Sequence, residues 1–81
     1  MSNIVKLVER FFENPTSIKY TDLKNILSYF EFEKIRAKGS HVKFKHTQLR
    51  YDLIIPVHKN ECKDFYKKQA KKQIEKIRNN K

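Results

Sequence analysis

Apolar residues return along this chain at two different periods, and the change between them falls near residue 31. Ile4, Leu7, Val8 and Phe11 recur at helical spacing, which predicts a short amphipathic helix over Asn3–Phe12 with Ser2 or Asn3 as its cap. Asn14-Pro15 closes it. Thr21 is a natural N-cap for a second helix. Leu23, Ile26, Leu27 and Phe30 form one face of that helix, which runs to about Tyr29 or Phe30.

From Glu31 the period becomes two. Glu31–Lys38 reads as a strand with Phe32 as an anchor and Ile35 and Ala37 on the opposite parity. Gly39, the sole glycine, sits in Lys38-Gly39-Ser40, where a hairpin turn needs a residue that tolerates positive φ. His41–His46 alternates, with Val42, Phe44 and His46 on one side and His41, Lys43 and Lys45 on the other. Thr47-Gln48 marks a second turn. Tyr51–Val57 is a third strand with Leu53, Ile55 and Val57 on one face, and Pro56 marks its end or an edge position. Asn60 can cap a last helix whose apolar stripe is Cys62, Phe65, Tyr66, Ala70, Ile74 and Ile77. Glu61 and Asp64 near its start and Lys76 and Arg78 near its end suit the helix dipole.

The element order is therefore ααβββα, an α+β fold with a three-stranded antiparallel sheet. Its helices are expected on one face and its other face open, carrying His41, Lys43 and Lys45. We read residues 1–81 as one domain without repeat or linker, small enough to bury only about 60% of its unfolded surface.

Charge adds the next constraint. Nineteen Lys and Arg against nine Asp and Glu give a formal net charge of +10. Such an excess on so small a body attracts polyanions, and nucleic acid is the leading class. No apolar run is long enough for a spanning helix, and Glu9 and Arg10 interrupt the N-terminal apolar stretch, which makes it a poor signal peptide. One cysteine, Cys62, cannot form an internal disulfide. Together these point to a cytoplasmic protein with no membrane partner.

The richest chemistry lies in Lys38-Gly39-Ser40-His41. Ser40 offers a hydroxyl and a backbone N–H beside the turn, and His41 opens the next strand on its solvated side. A neutral imidazole there can take a proton from a ribose 2′-hydroxyl, while Lys38, Lys43 and Lys45 can hold phosphates. Read alone, a histidine at a strand edge is most often a plain surface residue. His46, sharing parity with Val42 and Phe44, is expected to pack at the sheet's end. His58 either lies near the site or caps the last helix. A metal set of His58 and Cys62 with His41 and His46 can be drawn, but paired-cysteine spacing is absent and carboxylates are few around these histidines, so we read no metal site and no cofactor. Cys62 is expected to pack on the last helix. Tyr20, Tyr29, Tyr51 and Tyr66 are mostly core or rim residues that could otherwise stack on bases. Lys63, Lys67, Lys68, Lys71, Lys72 and Lys76 form a solvated helix face open to phosphate.

The string Gly39-Ser40-His41-Val42-Lys43-Phe44-Lys45-His46 resembles the strand-two signature of the HicA (YcfA-like) toxin family. Ile55-Pro56-Val57-His58 is similar to its strand-three ending. Asn14-Pro15, followed by Asp22-Leu23 and Phe32, resembles the entry of its longer members, and Lys63–Ile77, with Phe65-Tyr66 and Gln69, their closing helix. The likeness runs from about Ile4 to Ile77, although the shortest members lack the first helix. It implies a fold similar to a double-stranded-RNA-binding domain. It also implies the toxin of a type II toxin–antitoxin system, an mRNA interferase whose ribonuclease activity depends on the His of Gly-Ser-His, here His41, and a HicB-type antitoxin partner. The mechanism expected is metal-independent: His41 is the general base, and Lys38, Gly39, Ser40, Lys43, Lys45 and His58 bind RNA or stabilise the transition state. The alternative is a non-catalytic basic RNA-binding module of the same fold. A winged-helix DNA binder fits less well, because no clear helix-turn-helix is present.

Overall fold

The computed structural model describes residues 3–36 and 39–79. Its elements are α1 (Asn3–Glu13), a 3₁₀ turn (Pro15–Ser17), α2 (Tyr20–Tyr29), β1 (Glu33–Arg36), β2 (His41–Lys45), β3 (Leu53–Pro56) and α3 (Asp64–Asn79). The strands pair antiparallel in the order β1-β2-β3, so β2 is central and β3 is an edge. The ααβββα order and the α+β class are those expected. The cap offered by Ser2, and Ala37 and Lys38 before the hairpin turn, lie outside the described residues.

The core forms where the helices meet one face of the sheet. Phe11 of α1, Leu23, Ile26 and Leu27 of α2, and Ala70, Ile74 and Ile77 of α3 close over Phe44, Leu53 and Ile55. Ile18, fully buried between the 3₁₀ turn and α2, belongs to the same cluster. Arg78 of α3 lies 5.0 Å over the Phe12 ring, tying the two ends of the chain together.

Helix boundaries depart from the sequence pattern in two places. Thr21 does not cap α2: the cap is Lys19, extended at φ −76° and ψ 159°, and the helix opens on Tyr20. Tyr20 is only 4% exposed, so it must already stand on the inner face of the first turn. Asn60 does not cap α3 either. It stands with Lys59 at positive φ, 63° and 52°, in a two-residue turn closed by reciprocal 2.9 Å backbone bonds between His58 and Glu61. Two successive left-handed residues are what a type I′ turn requires. The helix then begins at Asp64, which moves Cys62 and Glu61 outside it. Its buried face carries Ala70, Ile74 and Ile77, with Tyr66 half-buried, so Phe65 falls outside that face and is 64% exposed rather than part of the stripe.

The strands are shorter than their alternation suggested, because α2 ends in a motif that consumes the first residues after it. Glu31 sits at φ 71°, the Glu31 amide donates to the Ser28 carbonyl, and the Phe32 amide donates to the Leu27 carbonyl at 3.0 Å. This is a Schellman stop, and the buried pair Leu27 and Phe32 supplies its hydrophobic contact. The chain leaves it straight into β1.

Candidate functional site

Gly39 turns the chain into β2 at φ 68°, and nothing lies within 4 Å of the place a Cβ would occupy. The glycine is thus needed for its backbone conformation rather than for space. The Val57 amide donates to the Ser40 carbonyl at 2.8 Å, which makes 40 and 57 a hydrogen-bonded pair of the β2–β3 ladder. Such pairs alternate, so the next pairs, His41 with Pro56 and Lys43 with Ile54, are the closely spaced non-hydrogen-bonded ones. Pro56 fits this register: its missing N–H would have faced the free edge, not β2.

The alternation separates the two sheet faces. Phe44, Leu53 and Ile55 are buried under the helices, whereas His41, Lys45 and Ile54 are exposed on the opposite face. Ile35 of β1 lies beside Lys43, and Glu33 beside Lys45. On the open face the central strand therefore carries His41, Lys43 and Lys45, flanked by Glu33 and Ile35 on β1 and by Ile54 and Pro56 on β3. Lys43 makes a loose ion pair, its Nζ 3.9 Å from Asp52, with both side chains part-exposed, so its ammonium is still open to phosphate. Ser40 is half-buried and Gly39 exposed. His58, also exposed, lies two residues beyond Pro56 and shares its parity. It stands past the end of β3, bridged to Glu61 across the tight turn. Lys38 lies outside the described residues.

The three histidines thus part company. His46 is 7% exposed, packs against Phe32 with ring centroids 4.9 Å apart and planes tilted by 55°, and has both nitrogens engaged. The Gln48 amide donates to Nδ1 at 3.0 Å, and Nε2 lies 3.0 Å from the Phe30 carbonyl, which assigns the proton to Nε2. His46 is a brace between the end of α2 and the β2–β3 turn, as its parity indicated. It sits at the opposite end of β2 from His41. Among the described residues no three His, Cys, Asp or Glu side chains gather in one place.

Cys62 is half-buried against the core, where the sequence placed it, although ahead of α3 rather than on it. Burial pushes its thiol above the ordinary range. Lys67 opposes that shift, and Asp64 and Glu61 add to it. Less thiolate is present at a given pH than on a free cysteine, so Cys62 is a poor nucleophile. Alkylation by iodoacetamide at pH 8 should be severalfold slower in the native protein than in urea, with the gap narrowing as pH rises through the folded value. Equal rates in both states would contradict the packing described.

The tyrosines divide as well. Tyr20 is buried and Tyr66 half-buried, but Tyr29 is 51% and Tyr51 78% exposed. Tyr51 belongs to a second feature, a groove between the β2–β3 loop and α3 to which the sequence gave little signal, because its walls come from segments twenty residues apart.

The model of the family described as HicA toxin of bacterial toxin-antitoxin matches residues 20–75. The chain belongs to the HicA toxin family. The matched stretch contains both hairpins, Gly39-Ser40-His41 and most of α3. It starts after α1, so it is narrower than the likeness read from the sequence. Membership makes the protein a toxin of a toxin–antitoxin system and implies an antitoxin partner. No curated protein and no solved structure matches the chain significantly. No helix among the described residues is long and apolar enough to cross a membrane.

Proposed function

We propose that this HicA-family toxin is a metal-independent endoribonuclease that cleaves mRNA in the cytoplasm, with His41 as general base. The observation that carries the reading is the position of His41: exposed, on the central strand, at the turn made by Gly39, on the sheet face the helices leave open. RNA lies across that face. The imidazole takes the proton of a ribose 2′-hydroxyl, whose oxygen attacks the adjacent phosphorus and expels the 5′-oxygen of the next nucleotide, leaving a 2′,3′-cyclic phosphate. Lys38, Lys43 and Lys45, with the backbone N–H groups of Gly39 and Ser40, stabilise the charge that builds on the phosphorane. The candidates to protonate the leaving oxygen are His58, exposed just beyond β3, and one of the lysines. The nucleophile is already part of the substrate, so no activated water is required.

The partner in this reading is a HicB-like antitoxin that presents acidic groups to the Gly39–Lys45 hairpin and covers it. Charge complementarity would speed its association, and apolar anchors against Ile35, Ile54 and Pro56 would hold it.

Cleavage should continue in excess EDTA, stop on RNA carrying 2′-O-methyl groups at the cut site, and spare DNA. A gel assay with matched oligonucleotides reads all three. Loss of activity in EDTA that a divalent ion restores would replace the 2′-hydroxyl mechanism with a metal-activated water.

A further inference from the structure

The groove between the β2–β3 loop and α3 is lined by Arg50, Tyr51, Ile54, Gln69, Gln73 and Lys76, among others. It is separate from the Gly39 turn and reaches the edge strand β3, which borders the open sheet face. Ile54 lines the groove and is also the cross-strand neighbour of Lys43, and Asp52 at its wall holds the Lys43 ammonium. From Tyr51 to Pro56, which faces His41, is five residues, at most about 17 Å of extended chain. A strand of a few nucleotides can therefore reach both places at once.

We propose that this groove is a base-reading subsite for single-stranded RNA, with Tyr51 as its stacking platform and Gln69 and Gln73 as its hydrogen-bonding wall. The inference rests on the reading of the protein as an RNA-binding toxin and adds to it the residues that choose where RNA sits. Three observations meet here. The Tyr51 ring is 78% exposed on a loop, a large aromatic face with no packing duty. Gln69, Gln73 and Lys76 stand at i, i+4 and i+7 on α3, on one face of the helix. The two amides are half-buried, and the side-chain hydrogen bonds of the described residues lie elsewhere, at Asn14, His46 and Ser17. An amide offers a donor and an acceptor together, the pattern a base edge presents. Arg50 and Lys76 at the rim match phosphate, while Asp52, the acidic member of the lining, is already engaged by Lys43. A net charge of +10 favours a polyanion over an acidic-poor peptide as the occupant.

The test is anisotropy binding of the whole protein to a short fluorescent single-stranded RNA with 2′-O-methyl riboses, which the proposed attack cannot cut. Tyr51→Ala should weaken binding roughly five- to hundredfold, the usual range for one lost stacking contact. Tyr51→Phe should retain affinity, because the ring and not the hydroxyl does the stacking. Gln69→Ala with Gln73→Ala should flatten the preference among oligonucleotides that differ at one base. Matched melting curves exclude unfolding. The subsite is overturned if Tyr51→Ala binds RNA as the wild type does, if the wild type binds no RNA, or if Tyr51→Ala weakens only the antitoxin complex. Because this readout needs no cleavage, tyrosine-dependent binding by a protein that cuts nothing would sink the nuclease reading and leave the subsite standing.

Discussion

His41→Ala is expected to cut the rate of RNA cleavage by ~10²–10⁴, the range a general acid–base group supplies, while the fold and melting temperature stay as they are. The separation of the two effects follows from position. His41 is exposed at the first residue of β2, and its ring lies on the face opposite Phe44, Leu53 and Ile55. Truncating such a side chain changes stability by no more than about 0.5 kcal/mol. His46→Ala should behave in the opposite way. It removes a buried ring from Phe32 and leaves the Phe30 carbonyl and the Gln48 amide without their partner, so stability falls first and activity only through it. Circular dichroism, thermal melts and an RNA gel on the two variants and the wild type measure all of this. Undiminished cleavage by folded His41→Ala would mean that the open face binds RNA without cutting it there, the behaviour of a binding module.

Much of this contrast was legible in the sequence because a strand has a period of two. Once Val42 and Phe44 were assigned to the core, His46 had to follow them inward, and His41, Lys43 and Lys45 outward. Gly39 was legible for the same local reason: a turn that needs φ near 68° asks for glycine. Helix starts were less so. Thr21 and Asn60 carry good capping side chains, but the competing demands were tertiary. Tyr20 had to enter the first turn of α2 to be buried, and Asn60 was recruited by the left-handed turn between His58 and Glu61. Hydropathy alone puts Phe65 in the stripe of α3, whereas the phase set by Ala70, Ile74 and Ile77 turns it outward.

The candidate site divides along similar lines. Its local part, the turn and the alternation after it, is written in consecutive residues. Its non-local part is not. Nothing in the run of lysines distinguishes Lys43, paired at 3.9 Å with Asp52, from Lys45, whose neighbour on β1 is Glu33. The groove of Tyr51, Gln69 and Gln73 exists only because α3 returns beside the β2–β3 loop. A lone tyrosine after an arginine and two glutamines four apart are unremarkable until the fold sets them side by side.

Phe11→Ala should be the most damaging of the single substitutions to stability, at about 3–5 kcal/mol. The side chain belongs to α1, which precedes the stretch matched to the HicA family, so the match alone gives it no role. The packing says otherwise. Phe11 is fully buried in the cluster that holds Leu23, Ile26, Phe44 and Ile74, its ring lies 5.7 Å from that of Phe12, and α1 rests on both α2 and the 3₁₀ turn. A domain of this size has on the order of 4–12 kcal/mol in total, so losing 3–5 leaves it close to unfolding. The melting temperature should fall by more than about 10 °C. Val5→Ala, on the same helix but 47% exposed, should cost well under 1 kcal/mol and serves as the control. Urea titration of both variants reads the difference. If Phe11→Ala melts within a few degrees of the wild type, α1 is an appendage and the core is complete without it. If it collapses as expected, toxicity is lost without any change at His41, and saturating antitoxin should restore the folded state by mass action.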